Sequence, residues 1–147
     1  MAERRSVHRT QWAAQFAVAS ELCKRGYQVA FTMGNHPAVD LMVISPKGES
    51  FSIDVKGLYK RNFWVVSPKE QRHNLFYVFA FVPDRGQNEF FVLDQSTVSR
   101  LVQAEFDRAR ANRIEKGTSL ENIERFPCIP WEIVRGYSDK WEETLPP

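Results

Sequence analysis

The chain has 147 residues, of which 43% are hydrophobic, 26% charged and 13% aromatic. This composition is typical of one globular domain, and the length is sufficient to bury a full core without disulfide cross-links. Eleven Phe and four Trp residues exclude disorder for most of the chain. The longest apolar run, residues 75–82, has only eight residues, which is too short to span a membrane. We therefore predict a single domain over residues 1–147 with no membrane-spanning segment.

The cysteine pattern and the N-terminal segment both indicate an intracellular protein. Cys23 and Cys128 are far apart, and neither has a Cys or His at metal-ligand spacing, which excludes a disulfide framework and the usual zinc motifs. Three arginines near the start of the chain precede no apolar stretch, a pattern that argues against a signal peptide. We expect a cytoplasmic location.

The charges are unevenly distributed although the formal net charge is only +2. Residues 56–72 contain five basic residues and one acid, and residues 121–143 contain six acids and three basic residues. A basic middle and an acidic tail favour an anionic partner near the middle of the chain. Solvated surface charge would produce the same pattern.

Taken in order, the elements alternate between helices and strands. Residues 10–25 predict a helix with Thr10 as its N-cap and Gly26 at its end. Alternating apolar residues and turn chemistry predict six strands, at residues 27–32, 39–44, 51–56, 63–66, 75–82 and 90–93. Further helices are predicted to start at Ser67 and to span 96–113, with a less clear one at 120–125. This order predicts an α/β domain with a mixed β-sheet flanked by helices, a core over about residues 10–113 and a C-terminal extension over 114–147.

The hairpin formed by the second and third strands carries the most informative residues. The period of two places Asp54 and Lys56 side by side on one face. Folding about residues 46–49 predicts that Asp40 lies opposite Val55, one step from Asp54, and a bulge would set the two carboxylates directly opposite. Two carboxylates so close raise each other's pKa, and a hard cation such as Mg²⁺ removes that penalty. The alternative is an ordinary exposed strand face, since an acid-x-Lys triplet is expected about once by chance in a chain of this length.

The arrangement of these residues resembles the PD-(D/E)xK nuclease superfamily, the core fold shared by type II restriction endonucleases and archaeal Holliday-junction resolvases. The resemblance runs from about Gln11 to Lys56, with weaker support to Leu93. It rests on the segments Gln15-Phe16-Ala17-Val18-Ala19-Ser20-Glu21-Leu22, Arg25-Gly26-Tyr27-Gln28-Val29, Pro37-Ala38-Val39-Asp40 and Ile53-Asp54-Val55-Lys56. It implies that Asp40 and Asp54 are metal-binding acids, that the Val55 carbonyl reaches the metal, and that Lys56 is the catalytic lysine.

The implied function is a metal-dependent endonuclease that hydrolyses DNA with Mg²⁺ or Mn²⁺, as a dimer or higher homo-oligomer where both strands are cut. Two positions depart from the family pattern. Pro37 stands three residues before Asp40 instead of next to it, and the helix carries Gln15 where many members have a metal-reaching Glu. The helical wheel places Gln15 on the apolar stripe that should meet the sheet. The alternative function is therefore a nucleic-acid- or partner-binding module of the same fold with weak or lost catalysis.

Residues around this motif are weaker candidates for the site. The expected nucleic-acid contacts are Lys60, Arg61, Lys69 and Arg72. Trp64 either stacks on a base or packs in the core. Glu21, His36 and His73 are further candidates, although Glu21 also fits a surface ion pair with Arg25 at i+4, and both histidines fit surface turns.

Overall fold

The computed structural model describes residues 5–36, 39–123 and 127–147. The elements in chain order are α1 (Val7–Lys24), β1 (Gln28–Phe31), β2 (Leu41–Ile44), β3 (Ser50–Leu58), β4 (Phe63–Val65), β5 (Leu75–Phe81), β6 (Glu89–Asp94), α2 (Gln95–Lys116), β7 (Cys128–Pro130), α3 (Trp131–Val134), a 3₁₀ turn (Arg135–Tyr137) and α4 (Trp141–Thr144). Five strands form one sheet in the order β1-β2-β3-β5-β6. Only the β3–β5 pair of this sheet is parallel, so the predicted mixed sheet flanked by helices is confirmed.

Strand β5, which lies between β3 and β6, separates two hydrophobic cores. Its residues from Leu75 to Ala80 are all buried, and successive side chains of a strand point to opposite faces of the sheet. Phe76, Val78 and Ala80 pack with α1 on one face, whereas Leu75, Tyr77 and Phe79 pack with α2 on the other. Burial on both faces explains why this segment of the sequence is an uninterrupted apolar run.

Helix α1 begins earlier than the sequence predicts. Its N-cap is Ser6, whose Oγ accepts a hydrogen bond from the Arg9 amide at 3.1 Å, and the predicted cap, Thr10, is buried inside the first turns. Because serine caps a helix at least as well as threonine, the helix begins after Ser6 and not after Thr10. Gly26 follows the helix with φ +89°, which agrees with its predicted role as the stop signal.

The hairpin register differs from the predicted one by one residue. Ser45 and Glu49 still pair through their backbones, at 2.8 Å, so the loop contains only Pro46, Lys47 and Gly48. Gly48 has φ +91°, typical of a three-residue hairpin loop that ends in a left-handed glycine. The ladder therefore pairs Leu41 with Ile53. Asp40 lies just before this ladder, and its amide donates to the Ile53 carbonyl at 3.0 Å, so the predicted register, with Asp40 opposite Val55, is wrong by one residue.

The helix predicted to start at Ser67 is absent, because residues 66–70 are neither helix nor strand. Buried Gln95, the first residue of α2, holds the following backbone: its Oε1 accepts from the Arg72 amide at 2.7 Å and its Nε2 donates to the Glu70 carbonyl at 2.9 Å. Side-chain hydrogen bonds from a distant element thus replace those that a helix would make.

The C-terminal segment contributes structure that the sequence did not predict. Strand β7 pairs with β4 in a separate two-stranded sheet, and Trp141 is fully buried in the α1 core. The described part of the helix predicted at 120–125 is not α-helical, and residues 124–126 lie outside the described residues. Over the described ranges, no helix is long and apolar enough to cross a membrane.

Candidate active site

Asp40 lies just before β2 and is anchored by backbone and side-chain contacts. Its amide donates to the Ile53 carbonyl at 3.0 Å, and its Oδ2 accepts from the Val55 amide at 2.8 Å. Its Oδ1 lies 3.4 Å from the Nε2 of Gln15 on α1. The carboxylate of Asp40 is therefore held between the third strand and the first helix. Pro37 and Ala38 of the motif lie outside the described residues.

Asp54 is the most buried charged residue of the site, with 2% of its surface exposed. Two ammonium groups contact it: Lys56 Nζ lies 3.0 Å from Oδ1, and Lys69 Nζ contacts Oδ2. The contact with Lys56 is an ion pair without hydrogen-bond geometry. The Oδ1 atom is buried and accepts no hydrogen bond. A buried carboxylate is costly unless cations compensate it, and here two lysines do so.

Lys69 occupies a different place from the expected one. The sequence groups it with the residues that contact a DNA backbone, but the structure places its ammonium on Asp54 and 5.9 Å from the ring centre of Tyr77. The extended chain that replaces the predicted helix carries it there. Since Lys69 follows Asp54 by fifteen residues, spacing alone gives no signal for this pairing.

A role for Gln11 at the site was not predicted from the sequence. This residue lies one helical turn before Gln15. Its Nε2 donates to the Val55 carbonyl at 2.7 Å, the group that the resemblance assigns to the metal. The helical wheel places Gln11 and Gln15 on the same face of α1 as Val18, Ala19 and Leu22, and the last four of these residues are buried. The two glutamines at i and i+4 on an otherwise apolar face are the sequence signal that could have identified Gln11.

The surroundings of Asp40 favour its protonated form. Burial raises the pKa of Asp40, and the charge of Asp54 raises it further. The hydrogen bond from the Val55 amide and the charges of Lys56 and Lys69 lower the pKa, but they do not offset burial. A cation between the two aspartates would act in the same direction as the lysines.

The donor set fits a hard divalent cation. Mg²⁺ binds one or two carboxylates and completes its shell with waters and phosphate oxygens, and the Asp40 carboxylate accepts from the amide of Val55, the residue after Asp54. The buried Oδ1 of Asp54 accepts no hydrogen bond but lies 3.0 Å from the Lys56 ammonium, so a cation bound there would share this oxygen with Lys56. Among the described residues, no group of three or more His, Cys, Asp and Glu side chains gathers at one point, so any cation here relies on these two acids.

A concave surface of about 750 Å³ adjoins the site. Its wall includes Gln11 and Lys56 together with Arg5, Tyr59 and Lys60. The guanidinium of Arg5 lies 5.0 Å from the Tyr59 ring centre, and the Lys60 ammonium lies 5.4 Å from the same ring. Basic groups and an aromatic ring thus border the concave surface that ends at Lys56.

The other expected nucleic-acid contacts lie at varied places. Arg61 is engaged: its Nη2 lies 3.0 Å from a Glu89 oxygen, and its guanidinium packs over Trp131 at 5.2 Å. Lys60 and Arg72 are exposed. Trp64 is 1% exposed within the α2 core, so the alternative in which it stacks on a base is wrong.

The remaining candidates are Glu21, His36 and His73. Glu21 forms ion pairs with Lys24 at 3.3 Å and with Arg25 at 3.7 Å, as the i+4 pattern predicts. His36 is exposed in the turn before Asp40, and His73 is exposed just before β5.

The fold and this cluster define the class of protein as an α/β domain with a buried aspartate-lysine site on the middle strand of a mixed sheet. No protein-family model, curated protein or solved structure matches the chain. The functional interpretation therefore depends on the geometry and chemistry of the site.

Proposed function

We propose that the protein is a metal-dependent endonuclease of the cytoplasm that hydrolyses DNA phosphodiester bonds, with a site of the PD-(D/E)xK type. One observation carries the proposal: the Asp40 carboxylate accepts from the amide of Val55, which stands between Asp54 and Lys56, and Lys56 contacts the buried Asp54 carboxylate. Surface charges that serve only solubility have no reason to be buried together. Two acids and a lysine, of which Lys56 lines the concave surface, are groups that phosphodiester hydrolysis with a cation uses.

Each side chain has a defined role in this proposal. Asp40, Asp54 and the Val55 carbonyl would hold Mg²⁺ or Mn²⁺. The chemistry supplied by the bound cation is polarisation of the scissile phosphate and easier deprotonation of water. Lys56 positions the attacking water and stabilises the negative charge that develops on the phosphoryl oxygens.

The residues found through the structure extend this assignment. Lys69 neutralises Asp54 from the side opposite Lys56, and it can donate to a phosphate when a cation takes its place on Asp54. Gln11 orients the Val55 carbonyl, and Gln15 donates to Asp40 where a glutamate would add a third negative charge. Lys60 in the adjoining wall would contact a neighbouring phosphate, whereas Arg5 is held by Asp84 and the Val82 carbonyl.

A cleavage assay tests the proposal. The purified protein is incubated with linear, supercoiled, branched and single-stranded DNA in Mg²⁺ and in Mn²⁺. We expect Lys56→Ala to abolish cleavage while DNA affinity changes by no more than one phosphate contact. The matched control, Lys60→Ala, should lower affinity and reduce the salt slope by about one unit while cleavage persists at saturating protein. Intact substrates with the wild-type protein under all conditions would refute the proposal.

One observation favours a second candidate, a DNA-binding module with weak or no catalysis. Gln15 supplies a neutral amide next to Asp40, which weakens cation binding relative to a carboxylate. In that case the wild-type protein binds DNA without cutting it, and Lys56→Ala behaves like Lys60→Ala. Cutting both strands of a duplex would additionally require two copies of the single site, which sedimentation in the presence of DNA would detect.

A further inference from the structure

An aromatic stripe runs along the exposed side of α1 and continues onto β1. It consists of His8, Trp12, Phe16 and Phe31, with ring centres 6.2, 5.7 and 5.4 Å apart in that order. The rings of Trp12 and Phe16 are stacked, with an interplanar angle of 29°. The indole N–H of Trp12 lies 3.1 Å from His8 Nε2, and this hydrogen bond fixes the orientation of the indole. The four rings thus form one ordered surface.

The stripe is open to solvent, although its side chains are ones that a folded chain ordinarily buries. Phe16 is 58% exposed, and Met33, beyond the end of β1, is 62% exposed. His8 is exposed, and Trp12 and Phe31 are only partly buried. A contiguous apolar patch of this kind marks a binding surface more often than a scattered exposed side chain does.

The stripe lies beside the candidate active site. Gln11 and Gln15 directly precede Trp12 and Phe16 in the helix, and the two glutamines contact the Val55 carbonyl and Asp40. Successive helical residues differ in direction by about 100°, so the stripe flanks the glutamine face. A ligand that lies on the stripe is therefore next to the aspartates.

The charges around the stripe select the chemistry of that ligand. The two segments that build it, residues 5–20 and 26–39, contain no Asp or Glu. The first segment contributes Arg9, which is exposed on α1, whereas Arg5 is ion-paired with Asp84. Aromatic rings beside an exposed cation are typical of a surface that binds single-stranded nucleic acid, in which bases stack and phosphates meet positive charge.

We propose that the aromatic stripe is a stacking platform for unpaired bases, so that the substrate of the adjacent site is single-stranded DNA or DNA with a single-stranded segment. The inference rests on the proposed function and specifies its substrate class. In a duplex the faces of the bases are covered by their neighbours, so only an unpaired base can stack on Trp12 and Phe16. The stripe then sets the strand beside Asp40, where the phosphodiester is cut.

A binding assay without cleavage tests the inference. A fluorescent 20-nucleotide single strand of mixed sequence and its matched duplex are titrated with protein in a chelating buffer. We expect preference for the single strand, and about a 5- to 100-fold loss of single-strand affinity in Trp12→Leu and in Phe16→Leu. Trp12→Phe should restore most of the affinity because it restores a ring. The control Ile114→Ala changes an apolar residue of α2 that is 63% exposed and should change neither affinity.

Several outcomes would overturn the inference. Equal losses for duplex and single strand in Trp12→Leu would show that the stripe does not distinguish unpaired bases. Unchanged DNA affinity, together with loss of self-association in Phe16→Leu, would make the stripe an interface between copies of the chain. An RNA strand that binds more tightly than the DNA strand would overturn the assignment to DNA. Because binding is measured without cleavage, an inactive protein that binds single strands through the stripe would refute the nuclease and support the platform.

Discussion

Replacement of Gln15 by glutamate tests the geometry of the site directly, because it adds a negative charge next to a carboxylate whose pKa is already raised. Burial raises the pKa of Asp40, and the hydrogen bond from Val55 and the two lysines do not offset it. The amide of Gln15 lies 3.4 Å from Asp40 Oδ1. Glutamine and glutamate have similar helix propensities, so the effect of Gln15→Glu is electrostatic.

The distance sets the magnitude of this effect. Two unit charges about 3.4 Å apart repel by about 5 kcal/mol at an effective dielectric constant of 20. Protonation of the new carboxyl limits the penalty, because a glutamate with an ordinary pKa near 4.3 is protonated at pH 7 for about 4 kcal/mol. We therefore expect Gln15→Glu to lower the free energy of unfolding by up to about 4 kcal/mol at pH 7 and by about 1 kcal/mol at pH 5.

The sign of the pH dependence follows from the direction of the shift. The pKa of the new glutamate is raised in the folded state, so the penalty is absent below its unfolded pKa and grows as the pH rises towards its folded pKa. Urea unfolding in chelating buffer between pH 4 and pH 8 measures it. The control Gln15→Met removes the amide without adding charge and should cost about 1 kcal/mol at every pH.

Added cation should reverse the penalty. At millimolar Mg²⁺ or Mn²⁺, Gln15→Glu should gain more unfolding free energy than the wild-type protein, because the third carboxylate raises affinity for the cation. A Gln15→Glu protein whose stability equals that of Gln15→Met at every pH would refute the placement of Gln15 beside Asp40. A pH-dependent penalty that metal does not relieve would refute the cation site and leave the geometry intact.

Three further changes test the surroundings of the site. In Gly57→Ala the new Cβ would lie 2.8 Å from an α1 side chain, so unfolding in urea should show a loss of about 1–3 kcal/mol; unchanged stability would refute the close approach of α1. In Asp94→Ala the N-cap of α2 is lost, at about 1 kcal/mol. Partial burial opposes ionisation of Asp94, but its hydrogen bonds outweigh this and lower its pKa. In thermal melts at acid pH, the stability difference between Asp94→Ala and the wild-type protein should therefore shrink as the pH falls through that lowered pKa. A difference that stays constant with pH would contradict this. Lys69→Met leaves Asp54 with one cation. It should lower the melting temperature more than Lys60→Met does, and it should lower the cleavage rate at least tenfold more. Equal effects of the two variants would make Lys69 a surface charge.

Local patterns in the sequence determined the framework of the protein. The period of two in β3 placed Asp54 and Lys56 on one face, and the apolar run at residues 75–82 identified the buried strand β5. The wheel of α1 placed Gln15 on its buried side. These features depend on residues close in sequence, where backbone geometry fixes which side chains share a face, so they can be predicted without any tertiary contact.

Only the tertiary structure decided how the site is completed. The three-residue hairpin loop set the register of the β2–β3 ladder, just beyond which the Asp40 carboxylate meets the Val55 amide, although the turn residues also allowed a register shifted by one. Gln95 holds the segment that delivers Lys69 to Asp54, and Gln11 meets Val55 across the packing of α1 on the sheet. These contacts join residues from 15 to 44 positions apart. Such pairings depend on the combined packing of several elements, and no local pattern in the sequence encodes them.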